Sequence, residues 1–247
     1  MLGPGLLQRV AEFGSLREAA AVMNVDEKQA WSYLIAASNL SDVPIVRVAN
    51  ENLMPTMHGR GLLGHPDALA GAFQAFLDTT VGGAFRQFNQ RHQFLQRLDA
   101  RTSARNQFYC RVHSISRERI NAVVTLDLGG GDRLTAHITT RSAEALGLVG
   151  GRACHALIDP AWVEVRPDTP SETKRQDNCL RGRVVRCLDD PVDTEVAIAL
   201  SGGRIAVASM TRAELRDKKL QVGTPACVVI QSSQIILAVD AAPRPNA

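Results

Sequence analysis

The feature that most narrows what this 247-residue chain can fold into is an internal repeat in its second half. One copy, "FYCRVHSI … VVTLDLGGGDRLTAHITTRSAEALGLVGGRACHALIDPAWVEV", runs from 108 to 165. The other, "LRGRVVRCL … EVAIALSGGRIAVASMTRAEL … LQVGTPACVVIQSSQIILAV", runs from 180 to 239. Arg111 answers to Arg183, Gly130–Gly131 to Gly202–Gly203, Thr140–Arg141 to Thr211–Arg212, Gly151 to Gly223 and Ile158 to Ile230, an offset of 71–72 residues. Each copy alternates apolar and polar side chains, the period of a half-buried strand, reverses at a Gly-Gly and carries one short helical turn. The pattern predicts a small, five-stranded OB-like β-barrel per copy. The first barrel is expected over 101–166, a linker over 167–177 and the second barrel over 178–241.

The first half reads as helical. "LLQRVAEFGSLREAAAVMNV" places Leu6, Val10 and Phe13, then Leu16, Ala19, Ala20 and Met23 at helical spacing, with Gly14–Ser15 as a stop followed by an N-cap. A third helix follows, capped by Asp26 or Asn24, with Ala30, Trp31, Leu34, Ile35 and Leu40 on one face. "VPIVRVANENLMP" then reads as a short β-hairpin. Three helices and a hairpin over 1–65 match a winged helix-turn-helix, and they match any other three-helix core as well. From Pro66 a long helix is predicted, and its apolar stripe takes in five of the chain's seven phenylalanines. That is more apolar surface than one small domain covers, so a helical dimer interface over 66–100 is its natural use. The fold class expected is α+β and multidomain.

Composition excludes several function classes. Aromatic residues make up only 4% of the chain, which argues against the stacking platforms of single-strand binders and against an apolar cofactor pocket. The net charge of +3 is uneven: residues 1–100 hold 8 Lys/Arg and 9 Asp/Glu, and the remainder 20 and 16. A duplex-binding domain usually carries the basic surplus itself, and here the surplus lies in the other half. The cysteines (Cys110, Cys154, Cys179, Cys187, Cys227) show no metal-ligand spacing and are expected to be buried, reduced thiols. "MLGPGLLQRV" lacks the cationic start and apolar run of a signal peptide, and no apolar run reaches membrane-span length. The chain therefore reads as soluble and cytoplasmic, with no membrane partner. His58, His65, His92, His113, His137 and His155 have no nucleophile or ligand partner at a useful spacing. "GGGDR", 129–133, lacks the Lys-Ser/Thr and the helix of a phosphate loop. No catalytic residues, no enzyme and no metal held directly by side chains are expected.

An oxyanion site has more support. "TSARNQF", 102–108, sets Thr102, Ser103, Arg105 and Asn106 where the β-rich half begins, and "ITTRS", 138–142, lies at a strand-to-helix transition. Hydroxyls, N–H groups at a turn and a guanidinium fork are the donors that a tetrahedral oxyanion needs. The alternative is that Ser103 and Thr139 only cap turns and that Arg105 is a surface cation.

Taken over nearly its full length, the chain resembles the ModE family of molybdate-responsive transcriptional regulators. "LLQRVAEFGSLREAAAVMNVDEKQAWSYLIAASNL…PIV" resembles the family's winged helix, and "MPTMHGRGLL" loosely resembles its exit from the wing. "TSARNQF" is similar to the Ser-Ala-Arg-Asn-Gln motif that opens the family's Mop (TOBE) domain, and the repeat resembles its di-Mop arrangement. The resemblance implies a homodimer that binds molybdate or tungstate between first-repeat barrels. Ser103 and Arg105 would come from one subunit, and Thr139 and Ser142 from the other. It also implies double-stranded DNA as a partner, read by Lys28, Gln29, Ser32 and Tyr33 of the third helix, with Arg17, Arg47 and Arg60 as further cations.

Departures from the family are specific. Asp159 stands where the family usually has Lys, so the carboxylate is expected to turn away, to be neutralised by Arg141 or Arg152, or to weaken or alter the site. In the second repeat "RQDN", 175–178, replaces the motif and Gln231 stands at the Lys position, so no equivalent site is assigned there. The wing segment "ANENLM" is short and carries no cation. These departures leave two rivals to an oxyanion-sensing regulator. One is a molybdate- or tungstate-binding or storage protein whose winged helix serves only for dimerisation. The other is a regulator with altered oxyanion sensing.

Overall fold

The computed structural model describes residues 3–49, 52–63, 104–168, 178–189 and 193–240. They belong to two units that divide between Thr102 and Ser103. The helix expected over 66–100 and Ser103 itself lie outside the described residues.

The first unit contains α1 (Gly3–Phe13), α2 (Leu16–Val22), α3 (Glu27–Leu40), the hairpin strands β1 (Val46–Ala49) and β2 (Asn52–Pro55), and α4 (Met57–Leu63). Gly14, with φ 69°, ends α1, and the Ser15 side chain caps α2 by accepting from the Glu18 amide. Asp26 rather than Asn24 caps α3, accepting from the Lys28 and Gln29 amides at 2.9 and 3.1 Å. Leu6, Val10, Leu16, Ala19, Ala30, Trp31, Leu34 and Ile35 are buried together, as their spacing predicts. Phe13 departs from that reading: it is the last residue of α1 and is 42% exposed. The buried Ser38 hydroxyl accepts from the Ile45 and Val46 amides at 3.1 and 3.3 Å, which ties α3 to β1. Gly59 of α4 sits so close to the Ile45 carbonyl that no Cβ fits, and α4 is thereby held against the start of the hairpin.

The second unit holds the repeats. The first supplies β3 (Asn106–Arg117), β4 (Asn121–Gly129), β5 (Asp132–Thr139), α5 (Thr140–Ala145), β6 (Ala153–Ile158) and β7 (Val163–Pro167). The second supplies β8 (Cys179–Asp189), β9 (Asp193–Leu200), β10 (Ile205–Thr211), α6 (Arg212–Asp217), β11 (Pro225–Ile230) and β12 (Ile236–Ala238). They form two curled, five-stranded antiparallel sheets, ordered β12-β6-β3-β4-β5 and β10-β9-β8-β11-β7. Each repeat thus gives its last strand to the other, β7 pairing with β11 and β12 with β6. One apolar core joins Phe108, Leu126, Leu134 and Ile158 of the first repeat with Val184, Ile198, Val228 and Ile230 of the second.

The internal symmetry reaches single hydrogen bonds. Asn106 is buried, donates to the Val207 carbonyl at 2.8 Å and accepts from the Val207 amide at 2.7 Å. Its counterpart Asn178 does the same to Thr135 on the first repeat, at 2.8 and 2.6 Å. The Gly-Gly turns also meet: a Cβ on Gly130 would overlap Gly202, and one on Gly202 would overlap Gly129 and Asp132. Thr139 and Thr211 are both helix N-caps, so Thr211 answers to Thr139 and not to Thr140 as the sequence alignment had it. One cysteine expectation is corrected. Cys179 and Cys227, on neighbouring strands β8 and β11, are joined as a disulfide, whereas Cys110, Cys154 and Cys187 take part in none.

Candidate oxyanion site

Strand β5 ends at Thr139, and the chain turns at once into α5. Threonine suits that corner because its backbone stays extended (φ −74°, ψ 149°) while its side chain accepts the Ser142 amide at 3.0 Å. The two hydroxyls, Thr139 Oγ1 and Ser142 Oγ, lie 2.7 Å apart, and both residues are exposed. Whichever hydroxyl donates within the pair, the other keeps its proton for an outside acceptor. A paired-hydroxyl corner of this kind fits an anion that needs directed O–H donors.

Arg105 immediately precedes β3. The buried Asn106 beside it is spent on the second repeat, so of the donors in "TSARN" the amide is structural. Arg105 Nη1 forms an ion pair with Glu195 of β9, and the Arg105 side chain is 47% exposed. Within this chain, therefore, Thr139 and Ser142 come together, and Arg105 is engaged by the second repeat. Glu195 is a residue the sequence reading missed.

Asp159 immediately follows β6. Its carboxylate turns back to cap the short 3-10 turn Pro160–Trp162, accepting from the Ala161 amide at 2.9 Å. Among the described residues no ion pair joins it to Arg141 or Arg152.

The corresponding corner of the second repeat has different chemistry. Glu214 replaces Ser142, and its carboxylate accepts from the Thr211 amide and hydroxyl at 2.9 and 3.0 Å. Those bonds hold the Glu214 carboxyl below its ordinary value. A cavity of about 250 Å³ beside it is lined by Trp162, Glu164, Ser209, Glu214, Lys218 and Gln231 among others. Arg166, hydrogen-bonded to Glu164 at 2.7 and 2.8 Å, likewise keeps that carboxyl low. Two ionised carboxylates make this corner a poor host for a dianion.

In the first unit, Lys28 and Gln29 are exposed on the opening turn of α3, while Ser32 and Tyr33 are half-buried. Arg47 on β1 and Arg60 on α4 are exposed. Arg17 pairs with Glu27 at 3.2 Å, so part of its charge is spent locally. Among the described residues, no cluster of three or more His, Cys, Asp or Glu side chains could hold a metal, and no helix is long and apolar enough to cross a membrane. His155 pairs instead with Asp240 at 2.7 Å.

The TOBE domain model matches residues 102–165 and 175–237, both copies of the repeat. The molybdenum-pterin-binding protein MopB of Rhodobacter capsulatus is 32% identical over 95% of this chain and 87% of its own. The transcriptional regulator ModE of Yersinia pestis is 28% identical over 94% of this chain and 90% of its own. Among solved structures, the cytoplasmic molybdate-binding protein ModG, with molybdate bound, superposes with a TM-score of 0.55 at 33% identity. It covers 57% of this chain and the whole of that one.

Proposed function

This chain belongs to the ModE family of TOBE-domain, molybdate-binding regulators, and on that premise we propose that it is a molybdate- or tungstate-responsive transcriptional regulator, not an enzyme. It acts in the cytoplasm as a homodimer, with the oxyanion held between first-repeat sheets. Ser103 and Arg105 of one protomer face Thr139 and Ser142 of the partner subunit. The observation that carries this reading is the Thr139–Ser142 hydroxyl pair, exposed at the end of β5 and kept in donor geometry by its own cap. The hydroxyls donate to oxo groups, and Arg105 neutralises charge. A bound oxyanion supplies the bridge between protomers.

The three helices and hairpin of the first unit serve as a winged helix-turn-helix. Lys28 and Gln29 of α3 reach DNA first, with Ser32, Tyr33, Arg17 and Arg47 behind or beside them. Oxyanion binding changes operator affinity through the dimer, a coupling between two sites. The likeness to the ModE regulator includes the N-terminal helices, which speaks against a winged helix kept only as a dimerisation scaffold. Calorimetry with molybdate, tungstate and sulfate tests the ligand, and heats for molybdate and tungstate but not sulfate are expected. Gel retardation of the upstream DNA, with and without molybdate across a salt series, tests the regulator; no salt-sensitive shift at low salt overturns it.

A further inference from the structure

Arg105 stands just ahead of β3, the middle strand of its sheet. Asn106, one residue on, is clamped through two hydrogen bonds to Val207 of β10. Two positions further along β10, Ser209 sits opposite Glu195 of β9. The clamp therefore delivers the Arg105 guanidinium over the outer face of the second sheet, where Glu195 takes its Nη1. Glu195 is half-buried on a central strand, its side chain only 20% exposed, whereas the matching position of the first repeat is Val123. A carboxylate is a costly choice for such a position unless a cation meets it.

Building on the oxyanion reading above, we propose that Glu195 is a resident carboxylate that an incoming oxyanion must displace from Arg105. Glu195 and the ligand compete for the same Nη1 donor, and a dianion drawn to Arg105 is also repelled by the carboxylate already there. The observed affinity is then the intrinsic affinity scaled by the fraction of chains in which Arg105 has been released. Glu195 thus sets the anion concentration at which the protein responds. Asp159, aligned next to Ile158 across from Asn106, does not share this role, because its carboxylate is committed to the Ala161 amide.

The test is calorimetric titration of the full-length chain with sodium molybdate, comparing the wild type with Glu195→Gln and with Asp193→Asn. The second variant removes an equal charge from the same strand, at a residue that lies opposite Thr211. Glu195→Gln is expected to tighten binding about tenfold, and Asp193→Asn to leave it within about twofold. Equal, measurable affinity in wild type and Glu195→Gln overturns the displacement while leaving the oxyanion reading standing. Equal tightening in both variants overturns it as well, since the effect is then one of general charge. No heat from any of the proteins at millimolar molybdate overturns the oxyanion reading itself, and the displacement with it. If Glu195→Gln fails to fold, Glu195→Asp, one methylene shorter, is expected to tighten binding about threefold, and unchanged affinity there overturns the proposal.

Discussion

Replacing Thr139 with Ala removes two things, a donor of the proposed site and the cap of α5. Replacing Ser142 with Ala removes only the donor, since the cap uses the Ser142 backbone amide. Both variants are expected to weaken molybdate binding by about tenfold or more, and only Thr139→Ala to lower stability, by about 1 kcal/mol. Calorimetry and urea unfolding of the two separate ligand contact from local folding. At Asp159 the carboxylate is bonded to the Ala161 amide, yet its charge still acts through space on a dianion at the proposed site, with an opposing energy that falls with distance. Asp159→Lys is therefore expected to raise molybdate affinity despite losing the Ala161 cap, and unchanged affinity in calorimetry counts against that electrostatic account. The place of Thr139 at a strand-to-helix corner was legible in the sequence, whereas the role of Ser142 came only with the family resemblance. Glu195 was not legible, because a single acid in an alternating strand looks like any solvent-facing residue until its partner arrives from 90 positions away.

At the scale of elements, the two asparagine clamps hold each repeat to a backbone position on the other's hairpin. Asn106→Ala leaves the Val207 amide and carbonyl buried without their partners, and is expected to cost about 2–4 kcal/mol in urea unfolding. Asn106→Asp keeps the acceptor for the Val207 amide but sets a buried carboxylate oxygen against the Val207 carbonyl, so its loss at neutral pH is expected to be at least as large. The strands themselves were readable, since alternation places β4 residues Ala122, Val124, Leu126 and Leu128 inside and their neighbours outside. The exchange of β7 and β12 was not. Period two says which face of a strand is buried, but "VEVRP" and "ILA" present the same pattern whichever repeat they join. The Cys179–Cys227 bond was hidden for a related reason: spacing in sequence says nothing of which strands become neighbours.

For the whole molecule, the exchange means that neither repeat closes alone. A fragment covering 101–168 lacks β12 for its β6 edge and leaves β7 without β11. It is expected to be unfolded as a monomer, or to associate through swapped strands, by circular dichroism and size-exclusion chromatography; a stable folded monomer would count against the exchange as an obligate feature. The same handshake bears on how the protein is made. When β6 has been synthesised, β12 lies roughly 80 residues further along the chain, and at about 5–20 residues per second it follows some 4–16 s later. Throughout that interval β6 lacks its partner strand, and a neighbouring chain on the same messenger is a source of a matching one. The slower the second repeat is translated, the longer β6 waits for the strand of its own chain.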